Sequence, residues 1–145
     1  MTKRVFGAVG LLAVALLAAC AGRDNQPPQA ASPRPECANF TALIYFEPDS
    51  TDLLPAATPI LRDIMARIGA CRSAGGELTR IAIVAFPDRT SGRHEARSEI
   101  DARARTAREA LIAAGAPNSA IRIRRPIDPD GQLMQRRAEI AIEMW

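Results

Sequence analysis

Few residues in this chain could do chemistry. There is one histidine and there are three cysteines. His94 stands among Arg93, Glu95 and Arg97, the setting of a solvated loop residue more than of a catalytic base. No nucleophile with its base, no thiol beside a base and no glycine-rich phosphate loop can be read along the chain, so an enzyme is not expected. One histidine and scattered thiols make no metal ligand set. Asp128-Pro129-Asp130-Gly131 lacks the further ligand spacing of a calcium loop and reads as a plain turn. What remains is a pair of charges, Asp88 just after an apolar run and Arg103 fifteen residues later. A carboxylate that pairs with an ammonium, and a guanidinium that forks onto a carboxylate, would together receive a zwitterionic amino-acid centre. The same two charges also make a simple surface salt bridge without a ligand, and the residues alone leave both readings open.

The elements that must position this pair follow from hydrophobic periodicity. Residues 42–46 form an apolar run that stops at Pro48 and reads as a strand. Ile60, Leu61, Ile64, Met65, Ile68 and Cys71 recur along one helical face behind Pro55 and Pro59, which suit a helix start, and Gly75-Gly76 ends that helix. Residues 81–86 are continuously apolar, as expected of a central strand covered on both faces. A second helix is expected over residues 95–114, with Ile100, Ala104, Ala107 and Leu111 on its buried stripe and Gly115 and Pro117 as its stop. Arg103 projects at the edge of that stripe, where its stem can lie over the core while its head faces a ligand. Ile121 and Ile123 alternate with Arg122 and Arg124 in a third strand, and residues 138–144 form a fourth, with Ala138, Ile140, Ile142 and Met144 on one side and Glu139 and Glu143 on the other. The order β-α-β-α-β-β predicts an α/β chain of the α+β sandwich type, a mixed four-stranded sheet with two helices on one face. Asp88 then falls just past the carboxyl end of a central strand, where such sheets leave a crevice.

The start of the chain speaks to location. Lys3 and Arg4, the uncharged stretch 5–17 and the small residues after it have the anatomy of a secretory signal peptide over residues 1–19, too short for the roughly 20 apolar residues of a membrane span. Leu17-Ala18-Ala19-Cys20 resembles the lipobox of bacterial lipoproteins, which implies that Cys20 receives palmitate-type acyl chains and becomes the mature N-terminus; the plainer reading is a signal peptide with an incidental cysteine. Ala21 in place of Asp favours the outer membrane, periplasmic side, by the same resemblance. Removing Lys3 and Arg4 takes the 19 basic residues to 17 against 16 acidic ones, so the net charge falls from +3 to about +1. A nearly neutral mature chain without lysine gives no support to nucleic-acid binding. Residues 20–36, with Pro27, Pro28, Pro33 and Pro35, form a tether reaching roughly 50 Å at about 3 Å per residue, and residues 37–145 make one ordinary domain. With Cys20 assigned to lipid, Cys37 and Cys71 remain as a pair in a compartment that permits disulfides and are expected to be bridged.

Across residues 42–145 the chain resembles the OmpA-like C-terminal domain, the peptidoglycan-binding module of outer-membrane proteins and peptidoglycan-associated lipoproteins. The resemblance rests on Ile44-Tyr45-Phe46 with Asp49, Asp52, Leu53 and Pro55, on Asp88, on Arg103-Ala104 with Leu111 and Gly115, and on Arg136-Arg137-Ala138-Glu139-Ile140, which is similar to the family's Asn-Arg-Arg-Val-Glu-Ile. It implies that Asp88 and Arg103 hold the ammonium and carboxylate of diaminopimelate in the peptidoglycan stem, with Arg136 and Arg137 in support and no cofactor. Several positions depart from the pattern. Ala85-Phe86-Pro87 replaces Gly-His-Thr or Gly-Tyr-Thr before the Asp, Ala96 replaces an Asn, Glu99-Ile100 replaces Leu-Ser, and Gln135 stands for the closing Asn. Two functions follow: an anchor joining the outer membrane to peptidoglycan, or a domain that keeps the fold as a scaffold for other envelope proteins. They differ in whether Asp88 and Arg103 line an open pocket or close on each other. Arg89, Arg93 and Arg97 read as a solvated charged loop, with a basic rim for acidic partners as the alternative.

Overall fold

The computed structural model describes residues 34–88, 93–127 and 136–145, with the side chain of Arg93 excluded. The signal peptide, Cys20 and most of the tether lie outside the described residues, as do Arg89, the turn at residues 128–131 and Gln135. Among the described residues no helix is long and apolar enough to cross a membrane.

Ser32–Trp145 forms one compact unit. A single 3-10 turn, Pro35–Cys37, leads into β1 (Phe40–Tyr45), followed by α1 (Ala57–Ser73), β2 (Leu78–Ala85), α2 (Arg93–Ala113), a second 3-10 turn (Asn118–Ala120), β3 (Ile121–Arg124) and β4 (Arg137–Met144). The sheet order is β1-β4-β2-β3. β4 runs antiparallel to both β1 and β2, whereas β3 is parallel to β2, which requires the crossover that α2 provides. This is the expected mixed four-stranded α+β fold.

Alternation along the strands builds one core. Ile44 of β1 opposes Ala138, and Ile81 and Ile83 of β2 oppose Ile142 and Ile140 of β4, so these side chains share a face. Leu61, Ile64 and Ile68 of α1 and Ile100, Ala104, Ala107 and Leu111 of α2 join the same buried cluster, which places both helices over that face. Each helix ends as its glycine dictates. Gly75 (φ 80°) and Gly115 (φ 105°) take the left-handed conformation that side chains disfavour. The N–H groups of Gly75 and Gly76 donate to the carbonyls of Arg72 and Cys71, and those of Gly115 and Ala116 donate to Ile112 and Leu111, closing a Schellman motif at each end. Pro59 is the third residue of α1, where a missing N–H removes no helical hydrogen bond.

Cys37 and Cys71 are disulfide-bonded with Cα atoms 4.7 Å apart, because α1 returns its C-terminus to the start of β1. Two local expectations are corrected, at β2 and at His94. β2 is central but covered by helices on one face only: Ala82 and Val84 lie on the other face beside Arg80, Glu139 and Glu143, and Ala82 is hidden as a short side chain flanked by β4 and β3. Ile123 is 41% exposed, since of the edge strand β3 only Ile121 enters the core. His94 lies in the first turn of α2 instead of a loop, and is exposed there.

Candidate functional site

The site is assembled where β1 and β2 leave the sheet. Past Ala85 the chain of β2 continues through Phe86 and Pro87 to Asp88. The start of β4 pins this exit: the N–H of Phe86 donates to the Arg137 carbonyl (2.9 Å) and that of Arg136 to the Pro87 carbonyl (3.3 Å). On the other side, the N–H of Phe46 donates to the Arg136 carbonyl (2.9 Å), and the loop after β1 folds back through Glu47 N–H on Asp52 and Leu54 N–H on Tyr45, both 2.9 Å. That loop carries Asp49, whose N–H donates to Asp88 Oδ2 at 2.9 Å. The backbone N–H of Asp88 donates in turn to the carboxylate of Glu99 on α2, 3.2 Å from each oxygen.

Arg103 enters from α2 beneath these two exits. Its Nη2 lies 3.1 Å from Asp88 Oδ1, so the pair expected from the sequence is brought together. The guanidinium does more than pair with Asp88. Nε and Nη2 both donate to the Ser50 carbonyl (3.0 and 2.8 Å), Nη1 donates to the Phe86 carbonyl (3.0 Å), and Nη1 lies 2.7 Å from Glu99 Oε1 one helical turn earlier. Its ring-facing side packs 5.2 Å from the centroid of Phe46. All five N–H groups therefore have acceptors within the protein, and the side chain is 0% exposed. A buried charge is tolerable only when its donors are so matched. The sequence placed Arg103 at the edge of the apolar stripe; the fold puts it fully inside, because the Ser50 and Phe86 carbonyls offer it acceptors there.

Asp88, 8% exposed, is the member of the pair that reaches a cavity of about 580 Å³. Asp49, Asp88, Glu95 and Glu99 supply carboxylates to its lining, and Ser50, Thr51 and Ser98 supply hydroxyl-bearing side chains. Arg103 is not among the lining residues, and the pair is closed on itself. Such a wall favours an ammonium group over a carboxylate. A second cavity of about 520 Å³, walled by Leu53, Leu54, Leu61, Met65 and Ala110, lies between α1 and α2 and is mainly apolar. No group of histidine, cysteine and carboxylate side chains suited to a metal ion is found among the described residues.

The two arginines at the start of β4 part company. Arg136 has its side chain 47% exposed and Nε 4.0 Å from Asp88 Oδ1. Arg137 turns to the open sheet face, 4.0 Å over the Phe86 ring and 2.6 Å from Glu139, with its side chain 5% exposed. Arg97 is exposed on α2. Sequence reading missed two contributors, Glu99 and the backbone of Asp49 and Ser50. The spacing of Glu99 four residues before Arg103 is the standard signature of a helical ion pair and could have flagged the first. Nothing local could have flagged the second.

No protein-family model matches this sequence, and no curated protein matches it. Solved structures do match the fold. A peptidoglycan-associated lipoprotein from Burkholderia pseudomallei superposes with a TM-score of 0.54 at 17% identity, covering 70% of this chain and 89% of that one. The OmpA-like domain of FopA1 from Francisella tularensis gives 0.55 at 8% identity over 74% and 76%. An outer-membrane protein from Borrelia burgdorferi B31 gives 0.53 at 18% identity over 72% and 88%. At these identities the likeness is one of fold, and the fold is that of the OmpA-like C-terminal domain.

Proposed function

We propose that this chain is an envelope lipoprotein, anchored in the outer membrane through acylated Cys20 and facing the periplasm, whose OmpA-like domain binds peptidoglycan without covalent chemistry. Residues 20–36 would then be the tether between lipid and wall, and peptidoglycan, membrane lipid and other envelope proteins its partners. No catalytic role is assigned to any residue. One observation carries this reading: the Asp88 carboxylate stands at the exit of a central strand, faces a cavity rich in carboxylates, and is held in place by a buried arginine fifteen residues along. In this reading Asp88 receives the ammonium of diaminopimelate in the stem peptide, and Arg103 braces the Asp88 carboxylate from the buried side. Three of the solved neighbours support an envelope setting: one is named as a peptidoglycan-associated lipoprotein, one as an OmpA-like domain and one as an outer-membrane protein.

A specific observation favours a second reading. The Asp88–Arg103 pair closes on itself, and every N–H of Arg103 is occupied from within the chain. A domain that had become a scaffold for other envelope proteins would look the same. Sedimentation of Ser32–Trp145 with purified diaminopimelate-type sacculi separates the two. The anchor reading expects the parent domain to pellet with the sacculi and Asp88→Asn, which keeps an acceptor for the Asp49 N–H, to lose at least about tenfold in affinity, the scale of one charged hydrogen bond. A parent domain that stays in the supernatant would leave the scaffold reading.

A further inference from the structure

The two arginines beside Asp88 differ in what they have left to offer a ligand. Arg103 is buried, and its donors are spent on the Ser50 and Phe86 carbonyls, Glu99 and Asp88. A ligand carboxylate could use it only by displacing a backbone carbonyl or another carboxylate in a dry interior, which exchanges one satisfied contact for another and exposes a group that then lacks a partner. Arg136 is in the opposite condition. Half of its side chain meets solvent, its Nε is within ion-pair distance of Asp88 Oδ1 at 4.0 Å, and among the described residues its side chain makes no hydrogen bond.

Backbone geometry marks the same spot independently. Among the described residues, the non-glycine positions with positive φ are Asp49 (51°) and Arg136 (56°). Both touch Asp88, one donating its N–H to Oδ2 and the other bringing its guanidinium to Oδ1. Left-handed backbone is tolerated in aspartate more than in most residues but is disfavoured for arginine, where it persists only when the surroundings impose it. Here the imposition is visible. The Arg136 N–H is tied to Pro87 and its carbonyl to Phe46, so the residue is clamped between the exits of β2 and β1. The fold holds both residues in the left-handed conformation, and the result is an exposed cation beside a recessed anion.

We infer that Arg136, and not Arg103, receives the carboxylate of the amino-acid end of diaminopimelate, and so sets the preference for a stem peptide whose diaminopimelate carboxylate is free over one in which it is amidated. This rests on the peptidoglycan reading above. Ammonium and carboxylate of an amino acid are attached to one carbon, so their receptors must be neighbours, as Asp88 and Arg136 are. The guanidinium fork matches a carboxylate in shape as well as charge. Arg103 is then a positioning residue that fixes Asp88 and the Ser50 loop.

The test is calorimetric titration of Ser32–Trp145 with two synthetic stem peptides, one with the diaminopimelate carboxylate free and one with it amidated, using the parent, Arg136→Gln, Arg136→Lys and Asp88→Asn. The parent should prefer the free acid by about tenfold. Arg136→Gln should lose that tenfold for the free acid and nothing for the amide, so that discrimination disappears, while Arg136→Lys keeps part of it as a point charge without a fork. Asp88→Asn should weaken both peptides alike. Discrimination undiminished in Arg136→Gln, with the parent binding, would overturn this inference and leave the peptidoglycan reading standing. No binding of either peptide by the parent would overturn both.

Discussion

The backbone N–H of Asp49 donates to the carboxylate of Asp88 at 2.9 Å, and Asp49 holds a φ of 51° to do so. The bond closes the loop after β1 onto the exit of β2 across 39 residues of sequence. Left-handed backbone costs a residue with a Cβ about 1–2 kcal/mol, and glycine escapes it. Asp49→Gly should therefore be more stable than Asp49→Ala by about 1 kcal/mol in urea titrations followed by circular dichroism. Equal stabilities would mean that the loop, and not the φ angle, absorbs the substitution.

Arg103 supports the site from below. Arg103→Met would fill much of the same volume but strip partners from the Ser50 and Phe86 carbonyls and from Asp88 and Glu99. Breaking a buried charge network from one side costs about 3–5 kcal/mol, a large share of the stability of a domain this size. A loss below about 1 kcal/mol would show that Asp88 and Glu99 rehydrate freely.

The pair Arg80–Glu143 is the contrasting case. It spans β2 and β4 on the open face with Nη2 2.7 Å from Oε2, yet both side chains are more than a third exposed. Exposed pairs contribute little, so a double-mutant cycle with Arg80→Ala and Glu143→Ala should return a coupling of less than about 1 kcal/mol, falling further in high salt.

Gly76 is packed against the disulfide. A Cβ there would lie 2.2 Å from Cys37 Sγ, 2.6 Å from Cys71 Sγ and 2.7 Å from the Trp145 carbonyl oxygen. Gly76→Ala should destabilise by about 1–3 kcal/mol through overcrowding. Reducing the Cys37–Cys71 bridge should lower stability by about 2–5 kcal/mol, the usual range for small secreted domains. Both are read from melting curves with and without dithiothreitol, and a Gly76→Ala domain as stable as the parent would show that the disulfide shifts to make room.

Lipid attachment is tested in the full-length chain. Radiolabelled palmitate should be incorporated by the parent and not by Cys20→Ser, and the parent should fractionate with outer membranes. Labelling that survives Cys20→Ser would remove the anchor from the proposed function.

The sequence alone determined what depends on near neighbours along the chain. Period-two alternation over residues 138–144 and the helical stripe Leu61, Ile64, Ile68 and Cys71 marked a strand and a helix, and Gly75 and Gly115 marked helix ends, because the backbone there needs a residue without a Cβ. The cysteine pair and the fifteen-residue spacing of Asp88 and Arg103 were also legible. Only the tertiary structure decided how deep each charge lies. Arg103 is saturated only with the help of the Ser50 carbonyl, 53 residues away, and the Phe86 carbonyl, 17 away, so its burial is a property of where two strands end and not of its place on a helix. The left-handed backbone of Asp49 and Arg136 has the same origin: neither sequence position demands it, and it exists because their N–H groups donate to Asp88 and Pro87, and the Phe46 N–H donates to the Arg136 carbonyl, after the sheet has formed. Local patterns specify elements; solvation and strain depend on contacts between distant parts of the chain, which spacing along it does not encode.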